Sequence, residues 1–465
     1  MVFERFDVPG LSHYSYIVGC GGAVAVIDPK RDIDTYLEYA ERTGLRIAYV
    51  LETHIHADYA SGARALAEAT GAELCLSAYD EGETFSYAFP HRELRDGDEL
   101  TLGKIKLRTL HTPGHTPEHI SFLLSEPEHG EYPTALFSGD FLFIGSVGRP
   151  DLLGEAEKHE LAKKLYQSVQ NLATLPDGLM IFPGHGAGSL CGSGMAQRDQ
   201  STLGYERASN PFLKPQTEQT FIDTVLSTVP EFPDYYRKMK KLNSAGAPAF
   251  AQLPGGEQLK VKEFEARLKE TNAVVLDLRR PEAFGGAHIP GSINIGAGNN
   301  LSMWAAWVLR YDQPILLVGD ANTDLDAARR SLVRVGLDSV AGSLRGGIAA
   351  WLESGREQAH VPQVSVRELQ SAMTTPGAIT VLDVRNPGEW KSGHIEGALH
   401  ISGGDLPKQI ASVPTGKPLY VICGSGYRSS VSASVLAQSG RVQIVNVNGG
   451  MSAWKSQGLP VVVGA

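Results

Sequence analysis

Up to Lys214, short apolar runs alternate along the chain with segments of helical period. Short runs rich in Val, Ile, Leu and Phe are typical of strands, and apolar residues three and four positions apart are typical of helices that pack on one face. The pattern therefore predicts an α/β domain in this part of the chain. Strands are predicted at 23–29, 47–53, 104–110, 119–124, 135–140 and 179–186, and helices at 32–44 and 63–71.

The segment 244–258, SAGAPAFAQLPGGEQ, is rich in Gly, Pro and Ala and carries little charge, which is typical of a linker. An internal repeat follows it. VVLDLRRPEAFGGAHIPGSINI begins at Val274 and TVLDVRNPGEWKSGHIEGALHI begins at Thr380, and GGIAAW later in the first copy corresponds to GGMSAW in the second. Each copy has about a hundred residues, enough for one hydrophobic core. We therefore expect three domains, at 1–245, 256–357 and 362–465.

The composition excludes several classes of protein. A length of 465 residues requires more than one core, and 42% hydrophobic with 20% charged residues is ordinary for globular domains. The net charge of −10 argues against nucleic acid as a partner, because such binding needs clustered lysine and arginine. The sequence has no leader-like start and no apolar stretch of about 20 residues, so we expect no membrane partner and a cytoplasmic location. Four cysteines without close pairing, at positions 20, 75, 191 and 423, predict reduced thiols.

Histidines and aspartates occur at the ends of several predicted strands. The segment THIHADYASG (53–62) places His54, His56 and Asp58 at alternating positions, a spacing that lets one loop direct several ligands at one point. The segments TPGHTPEH, FSGD and FPGHG add side chains of the same kinds near other strand ends. We therefore expect these groups to converge on a metal site. The further candidate ligands are His115, Asp140 and His185.

The order of these motifs resembles the metallo-β-lactamase superfamily, from about residue 10 to residue 215. The resemblance implies an αββα sandwich with metal bound at the strand ends. Two-metal hydrolases of this superfamily carry a histidine directly after the aspartate, where this chain has Tyr59. A phenol with a pKa near ~10 is a poor substitute for neutral imidazole at pH 7. We therefore expect one metal ion, held by His54, His115 and Asp140.

Two histidines and one carboxylate are the ligand set of non-haem Fe(II) oxygenases, which leaves positions open for O2 and a sulfur substrate. The site resembles that of the persulfide dioxygenases, the superfamily branch that oxidises a thiol-bound sulfane sulfur to sulfite. The resemblance implies one Fe(II) per chain, with zinc as the alternative because it accepts the same donors. His56, Asp58 and His185 would then orient ligands and bound water. Tyr59 would fill or hydrogen-bond the vacated pocket, or serve in packing alone.

The segment SVGRPDLLG (146–154) follows Asp140 closely, and the related dioxygenases have a Gly-Arg-x-Asp element there. The resemblance implies that Arg149, with Asp151 beside it, binds an anionic part of the substrate bidentately. The alternative is a surface ion pair between Arg149 and Asp151. Cys191 lies just beyond His185 in GHGAGSLCG, so it is a candidate to carry or sense a persulfide; a buried packing cysteine is the alternative.

The segment YVICGSGYRSSVSASVLAQSG (420–440) predicts a strand that ends at Cys423, a glycine-rich turn and a helix that begins near Ser429. Backbone N–H groups of such a turn favour an anion and lower the pKa of a thiol, and Arg428 adds a positive charge. The Cys-x4-Arg spacing resembles the rhodanese family, whereas related phosphatases have Cys-x5-Arg and a larger cradle. The resemblance implies that Cys423 carries sulfur and that Arg428 assists it. The turn residues expected to bind substrate are Gly424, Ser425, Gly426 and Tyr427.

The first repeat lacks this chemistry. Gly319 takes the position of Cys423 and Asp324 that of Arg428, 104 residues earlier in each case. We expect this repeat to be catalytically inactive, and either to pack between the other domains or to frame a substrate cleft. The residues of the second repeat expected to stabilise the fold are Asp383, Arg385 and His394.

The predicted fold is thus an αββα sandwich followed by two rhodanese-like, doubly wound α/β domains. This order resembles bacterial fusions of a persulfide dioxygenase with a sulfurtransferase. The resemblance implies that O2 oxidises glutathione or coenzyme A persulfide to sulfite, and that Cys423 transfers sulfur between sulfite and thiosulfate in sulfide detoxification. The main alternative is a metal-dependent thioester hydrolase similar to glyoxalase II, against which Tyr59 argues. A third hypothesis is a sulfur-sensing scaffold with vestigial sites. The thiol carrier, the direction of transfer and a homo-oligomeric state stay open.

Overall fold

The computed structural model describes residues 1–128, 130, 132–229 and 232–464. The chain divides into two compact units. The first comprises Met1–Ala251 and Val333–Gly336, and the second comprises Gln252–Leu332 and Leu337–Ala465. The division after residue 251 lies in the segment 244–258. In the described ranges, every helix is too short or too polar to cross a membrane.

Six strands form the first sheet of the first unit: β1 (Val2–Val8), β2 (His13–Cys20), β3 (Ala23–Ile27), β4 (Arg46–Leu51), β5 (Glu73–Ser77) and β6 (Arg92–Leu94). They lie side by side in sequence order. The pairs β1–β2 and β2–β3 are antiparallel, and the pairs from β3 to β6 are parallel. The C-terminal ends of β3 and β4 therefore meet at one edge, which brings Asp28 beside the segment 53–62.

The next eight strands are β7 (Glu99–Leu102), β8 (Ile105–His111), β9 (Ile120–Ser125), β10 (Pro133–Gly139), β11 (Leu142–Phe143), β12 (Ser146–Val147), β13 (Met180–Pro183) and β14 (Ser201–Thr202). The strands β11 and β12 pair as a ribbon, and the other six form the second sheet in the order β14-β13-β10-β9-β8-β7. Only β10 and β13 pair parallel in this sheet, as far as the described residues show. Their C-terminal ends therefore place Asp140 and His185 side by side.

Helices cover the outer faces of both sheets. Apolar side chains such as those of Val18 and Phe122 fill the space between the sheets. Leu66 packs against the first sheet from outside, and Leu165 and Phe221 pack against the second. The αββα sandwich predicted from the sequence is confirmed. The helices of the first unit are α1 (Asp34–Thr43), α2 (Ala63–Thr70), α3 (Lys158–Asn171), α4 (Leu203–Ser209), α5 (Glu218–Thr228) and α6 (Tyr235–Ala245), with 3-10 turns at Leu172–Thr174 and Pro211–Leu213.

The second unit contains two all-parallel, five-stranded sheets with the orders β15-β19-β18-β16-β17 and β20-β24-β23-β21-β22. The strands are β15 (Gln258–Leu259), β16 (Val274–Asp277), β17 (Ile293–Asn294), β18 (Ile315–Val318), β19 (Val340–Leu344), β20 (Gln363–Val364), β21 (Thr380–Asp383), β22 (Leu399–His400), β23 (Leu419–Ile422) and β24 (Ile444–Val447). The two orders are the same, so the internal repeat predicted from the sequence is a structural repeat.

Helices flank each of these sheets. In the first repeat they are α7 (Val261–Thr271), α8 (Pro281–Gly286), α9 (Leu301–Val308), α10 (Leu325–Val333) and α11 (Gly347–Glu353). In the second repeat they are α12 (Val366–Ala372), α13 (Pro387–Lys391), α14 (Leu406–Gln409), α15 (Tyr427–Gln438) and α16 (Gly450–Ser456), with a 3-10 turn at Ile410–Ser412.

The strand register fixes which residues of the two repeats are equivalent. Asp277 pairs with Val318 in the first repeat, and Asp383 pairs with Ile422 in the second. Gly319 directly follows Val318 in the first repeat, and Cys423 directly follows Ile422 in the second. The sequence alignment of the two loops therefore agrees with the register.

Several predicted boundaries differ from the structure by one to three residues, and two of them have a clear backbone cause. The strand expected at 23–29 ends at Ile27, because Asp28 adopts a left-handed backbone with φ of 51° that turns the chain. The helix expected to begin near Ser429 begins at Tyr427, directly after Gly426 at φ 111°. A positive φ of this kind favours glycine, so Gly426 sets the start of the helix.

Candidate functional site

Three predicted metal ligands converge in the first unit. His54 follows β4 in the first sheet, whereas His115 lies between β8 and β9 and Asp140 follows β10 in the second. Nε2 of His115 is 3.5 Å from Oδ2 of Asp140, and Nε2 of His54 is 3.8 Å from the same oxygen. All three side chains are buried. The site therefore joins the two sheets at one edge of the sandwich.

Each of the two histidines is fixed through its other ring nitrogen. Thr53 donates its hydroxyl proton to Asp28 at 2.9 Å, so its oxygen accepts from Nδ1 of His54, also at 2.9 Å. Nδ1 of His115 donates to the backbone carbonyl of Arg149 at 2.9 Å. A proton on Nδ1 leaves the Nε2 lone pair for a metal in both rings.

The carboxylate of Asp140 is held by His185. Nδ1 of His185 lies 2.7 Å from Oδ1 of Asp140, and Nε2 lies 2.8 Å from Oδ2 of Asp58. Burial lowers the pKa of His185, but these two carboxylates outweigh it and hold that pKa well above its usual value. His185 is therefore an imidazolium that donates from both nitrogens.

The free atoms of the three ligands fit a metal ion. Among the described residues, Nε2 of His54, Nε2 of His115 and Oδ2 of Asp140 are buried without a hydrogen-bond partner. Burial, together with neighbouring histidines, lowers the pKa of His54 and His115 well below the usual value, so both imidazoles are neutral. Two neutral imidazoles and a carboxylate suit iron or zinc. The three residues could therefore hold a metal ion.

Tyr59 is fully buried, and its ring lies 4.5 Å from that of His56. Its hydroxyl donates to the backbone carbonyl of Asp28 at 3.3 Å, and its ring lies 4.0 Å from that of His13. Burial, with Asp28 and other carboxylates nearby, raises the pKa of Tyr59 well above its usual value. The phenol therefore keeps its proton at neutral pH and offers no anionic ligand.

The other residues predicted at this pocket lie close by. Nε2 of His56 bonds to Oδ1 of Asp28 at 3.1 Å, and the ring of His56 lies 4.1 Å from that of His54. Asp58, His185 and Cys191 have potential ligand atoms within 4.8 Å of one another. A second ion there would have to displace a proton of His185, since both nitrogens of that ring are already bonded to carboxylates.

Arg149 is fully buried, and its guanidinium is engaged by its neighbours. It bonds to both carboxylate oxygens of Asp151, at 2.7 and 2.8 Å, and to the carbonyl of Leu190 at 2.9 Å. The backbone of Arg149 also connects His115 with Cys191, because its carbonyl accepts from His115 and its N–H donates to the carbonyl of Cys191. Burial, with Asp58 and Asp140 nearby, raises the pKa of the Cys191 thiol well above its usual value.

Sequence reasoning missed several residues that organise the site. Asp28 holds both Thr53 and His56. His119, in the segment TPGHTPEH, accepts from the backbone N–H of Asp140 at 3.0 Å. Both residues adjoin predicted strands, so the rule that flagged the other ligands applies to them as well.

Helix α6 holds the backbone of the ligand loop. Lys240 donates to the carbonyl of Ile55 at 3.0 Å, while Glu118 accepts from the N–H of Ile55 at the same distance. Asn243 accepts from the N–H of Ser61 and donates to two carbonyls, those of His56 and Tyr59, at 2.7 to 2.8 Å. The chain from 55 to 61 is thus bonded to a helix that follows it by almost 200 residues.

The predicted sulfur-transfer loop of the second repeat forms around Cys423. This cysteine follows β23 and is buried. Its Sγ accepts from the backbone N–H of Gly426 at 3.1 Å and from the hydroxyl of Ser429 at 3.4 Å. Of the predicted turn residues 424–427, the backbone of Gly426 is thus in contact with the sulfur. These donors would stabilise a negative charge on that sulfur.

The GG-x-x-A-W segments of the repeat support these loops. In the second repeat, the N–H of Met451 donates to the carbonyl of Cys423 at 2.7 Å. A Cβ at Gly450 would lie 2.3 Å from that oxygen, so only glycine permits this approach. The equivalent contact in the first repeat joins Ile348 to Gly319 at 3.0 Å. The scaffold therefore survives in the repeat that lacks the cysteine.

Arg428 forms a bidentate ion pair with Glu389. The two nitrogen–oxygen distances are 2.5 and 2.7 Å. This hydrogen bonding raises the pKa of Arg428. Burial raises the pKa of Glu389, but Arg428 outweighs it and lowers that pKa below its usual value. Both groups are therefore charged at neutral pH.

The first repeat contacts the helix that follows Cys423. Asn294 accepts from the hydroxyl of Ser430 at 2.6 Å, and its N–H donates to Ser434 at 3.0 Å. Tyr427 donates from its hydroxyl to the carbonyl of Gly296 at 3.0 Å. The predicted role of this repeat as packing partner therefore has a physical basis within the second unit.

The fold-stabilising pairs expected in the second repeat occur in both copies. Arg385 binds Asp383, with its shortest contact at 2.6 Å, and Arg279 binds Asp277, with its shortest contact at 2.5 Å. All four side chains are buried. Their presence in the repeat without cysteine assigns them to the fold.

Comparisons with known proteins agree with this geometry. The family model of the metallo-beta-lactamase superfamily matches residues 8–185, and the model of the rhodanese-like domain matches 260–354 and 365–457. A metallo-beta-lactamase of known structure from Staphylococcus aureus subsp. aureus COL is 39% identical, with a TM-score of 0.66. That match covers 74% of this chain and 98% of the other.

Two curated relatives resemble the first unit. A hydroxyacylglutathione hydrolase of Anaeromyxobacter dehalogenans is 33% identical over 238 residues, which are 46% of this chain and 86% of the relative. A beta-lactamase hydrolase-like protein of Agrobacterium fabrum is 30% identical over 248 residues, or 47% of this chain. In that second case the chain spans about half the length of the relative, 54%.

The chain therefore belongs to the metallo-β-lactamase superfamily. More particularly, it combines a metallo-β-lactamase domain with two rhodanese-like domains, which confirms the fold class predicted from the sequence. Both kinds of domain indicate an enzyme, and the first has residues that could hold a metal ion.

Proposed function

We propose that the first unit oxidises a low-molecular-weight thiol persulfide with O2 to sulfite, and that Cys423 exchanges sulfane sulfur among persulfide, sulfite and thiosulfate. The observation that carries this proposal is the convergence of three unpartnered candidate ligand atoms, on His54, His115 and Asp140, while the buried Tyr59 packs against His56. Glutathione persulfide and coenzyme A persulfide are the candidate substrates.

The donor set supports one redox-active ion. Fe(II) held by His54, His115 and Asp140 would supply the chemistry that couples O2 to sulfur. Persulfide, O2 and water would give thiol, hydrogen sulfite and a proton, with four electrons passing from the sulfane sulfur to O2. The protein residues keep both imidazoles neutral, hold one oxygen of Asp140 toward them through His185, and exclude water by burial.

The sulfur-transfer step follows from the loop. The Cys423 thiolate attacks the sulfane sulfur of a persulfide, the donor S–S bond breaks, and the donor leaves as a thiol after taking up a proton. Sulfite then attacks the outer sulfur of the Cys423 persulfide, which forms thiosulfate and restores the thiolate. The donors from Gly426 and Ser429 stabilise the charged sulfur between these steps.

Oxygen-electrode turnover of iron-reconstituted protein with each persulfide tests the first step. We expect O2 uptake with sulfite as product, and we expect it to persist in Cys423→Ser and in the matched control Cys20→Ser. No uptake with either carrier would overturn the dioxygenase step. Mass spectrometry after treatment with persulfide or thiosulfate tests the second step, which fails if Cys423 gains no sulfur.

A second candidate function is hydrolysis of a glutathione thioester. It is favoured by the 33% identity to a protein named hydroxyacylglutathione hydrolase. Metal analysis separates the two candidates, because about one iron per chain supports oxidation, whereas two zinc ions with hydrolysis of a glutathione thioester support the hydrolase.

A further inference from the structure

The ion pair of Arg428 with Glu389 lies beside the sulfur-transfer loop and is partly exposed to solvent. The exposed fractions of the two side chains are 25% and 34%, so ions in solution can reach the pair. A second contact holds Glu389 in place, because its carboxylate accepts from the backbone N–H of Asn386 at 3.3 Å. The pair is therefore ordered as well as accessible.

The guanidinium of Arg428 lies over the residue next to the reactive cysteine. A Cβ placed on Gly424 would be 2.8 Å from Nη2 of Arg428 and 3.7 Å from Oε1 of Glu389. An anion that approaches Cys423 past this glycine meets the cation and the carboxylate together. The carboxylate already occupies both Nη atoms of the guanidinium.

The ion pair belongs to the repeat that carries the cysteine. In the first repeat, Asp324 stands at the position of Arg428 and Ala283 at the position of Glu389. The fold-stabilising pair of Arg279 with Asp277 is nevertheless kept there. Glu389 also completes the capping box of α13, which α8 lacks, and the contact with Arg428 is additional to that structural role.

The two kinds of sulfur donor differ in what they require from Arg428. Thiosulfate and sulfite present oxyanions that bind a guanidinium well, and a carboxylate bound to the same guanidinium competes with them. A thiol persulfide presents a sulfur end without oxygen atoms, so it does not compete for this group. Glu389 therefore affects the two donors unequally.

We propose that Glu389 is a specificity-determining residue, which occupies the guanidinium of Arg428 and thereby weakens the binding of sulfur oxyanions at Cys423 relative to thiol persulfides. This inference rests on the sulfurtransferase part of the proposed function. In both transfers the Cys423 thiolate attacks the sulfane sulfur and the donor S–S bond breaks. The electron pair of that bond leaves with sulfite from thiosulfate, or with a thiolate that takes up a proton from a persulfide, so no external oxidant or reductant is needed.

Alkylation of Cys423 by iodoacetate and iodoacetamide tests the inference without requiring turnover. The two reagents are of similar size, and only iodoacetate is an anion. In Glu389→Gln the ratio of the iodoacetate rate to the iodoacetamide rate, read from the Cys423 peptide by mass spectrometry, should rise about three- to tenfold. In the control Glu396→Gln, which removes an exposed carboxylate of the same repeat, the ratio should stay at the wild-type value.

A double variant shows whether the effect passes through Arg428. In Arg428→Gln combined with Glu389→Gln, the rise should vanish relative to Arg428→Gln alone. A ratio in Glu389→Gln at or below the wild-type value, or a rise that persists without Arg428, would overturn the inference.

Steady-state transfer gives a second measurement. Glu389→Gln should lower the KM for thiosulfate several-fold and leave persulfide loading of Cys423 unchanged, whereas equal losses with both donors would indicate a structural role and overturn the inference. If the alkylation ratio rises but neither donor transfers sulfur to Cys423, the proposed sulfurtransferase function fails and the anion selectivity of the loop stands.

Discussion

His185 donates a 2.7 Å hydrogen bond from Nδ1 to Oδ1 of Asp140, and this bond decides which carboxylate oxygen remains for a metal. Oδ2 is left facing Nε2 of His54 and Nε2 of His115. The second ring nitrogen of His185 is bonded to Asp58, so the ring cannot rotate without breaking two charged contacts. In the proposed site, His185 would thus orient Asp140 without binding the metal itself.

The first prediction concerns this histidine. His185→Ala removes the bond that orients Asp140 and leaves the Asp58 carboxylate buried without its cation. We expect the affinity for Fe(II) or Zn2+ to fall about 10- to 100-fold, measured by competition with a chromophoric chelator. The exposed His159 offers a matched control, and His159→Ala should bind metal as the wild type does. Equal affinities in the two variants would contradict the assigned role.

The second prediction concerns the number of metal ions. Tyr59→His places an imidazole where the chain has a protonated phenol, and we expect the zinc content after loading and desalting to rise from one ion per chain to two. Tyr59→Phe keeps the ring and loses the hydroxyl, so it should stay at one ion. A wild-type protein that already holds two ions, or a Tyr59→His variant that folds and holds one, would contradict the role given to Tyr59.

The third prediction concerns helix α6. Asn243→Ala leaves the N–H of Ser61 and the carbonyls of His56 and Tyr59 without their partner, at a cost of about 1 to 3 kcal/mol in the free energy of unfolding. Metal affinity should fall as well, because the ligand loop is loosened. Asn243→Asp keeps the acceptor for Ser61 but places a buried carboxylate oxygen against the carbonyls of His56 and Tyr59, so we expect a loss of metal affinity at least as large as for alanine. Urea unfolding and chelator competition measure the two effects, and the prediction fails if stability falls while metal affinity does not.

The fourth prediction concerns the first repeat. Asn294→Ala removes the acceptor for Ser430 and should slow sulfur transfer by Cys423, while O2 uptake by the first unit stays unchanged. The exposed Asn299 provides the control substitution, Asn299→Ala, which should transfer sulfur at the wild-type rate. Sulfur transfer and O2 uptake are to be measured in parallel for each variant. A fall in both activities in Asn294→Ala would contradict the prediction.

The fifth prediction is a pH dependence. Burial lowers the pKa of His288, whose ring stacks on Phe284 at 3.8 Å, below the usual value of 6.5. The folded state therefore keeps this histidine neutral, and unfolding takes up a proton below pH 6.5. The contribution of neutral His288 to the free energy of unfolding is present above pH 6.5. It is lost as the pH falls from 6.5 toward the pKa of His288 in the folded state, with a slope of at most about 1.4 kcal/mol per pH unit.

His288→Gln removes that slope and keeps a donor for the carbonyl of Phe284. The difference in unfolding free energy between wild type and variant should therefore shrink as the pH is lowered through 6.5. NMR titration of the histidine ring signals, assigned with the same variant, gives an independent check. A difference that does not change with pH would contradict the prediction.

The three candidate metal ligands could be recognised in the sequence because each lies in a short segment at a strand end. Such local signals need no knowledge of distant contacts. The internal repeat was equally readable, since Asp277 and Asp383 begin matching segments, and the strand register places Gly319 and Cys423 at the same point of the two sheets.

Contacts between distant segments were not readable in this way. Lys240 and Asn243 lie on a helix without a recognisable motif, and they reach the ligand loop only through the tertiary fold. His13 comes from β2 and stacks on Tyr59, although no pattern in its own strand marks it. Glu389 belongs to a capping box, a sequence pattern that predicts the start of α13. That pattern gives no indication that Glu389 also contacts Arg428.

Helix α15 is buried along a continuous run from Ser429 to Leu436, with its own sheet on one side and the first repeat on another. A fragment limited to residues 362–465 would expose to solvent the surface of α15 that contacts the first repeat in the full chain. Protein engineers who wish to transfer the Cys423 loop to another protein should therefore transfer both repeats together.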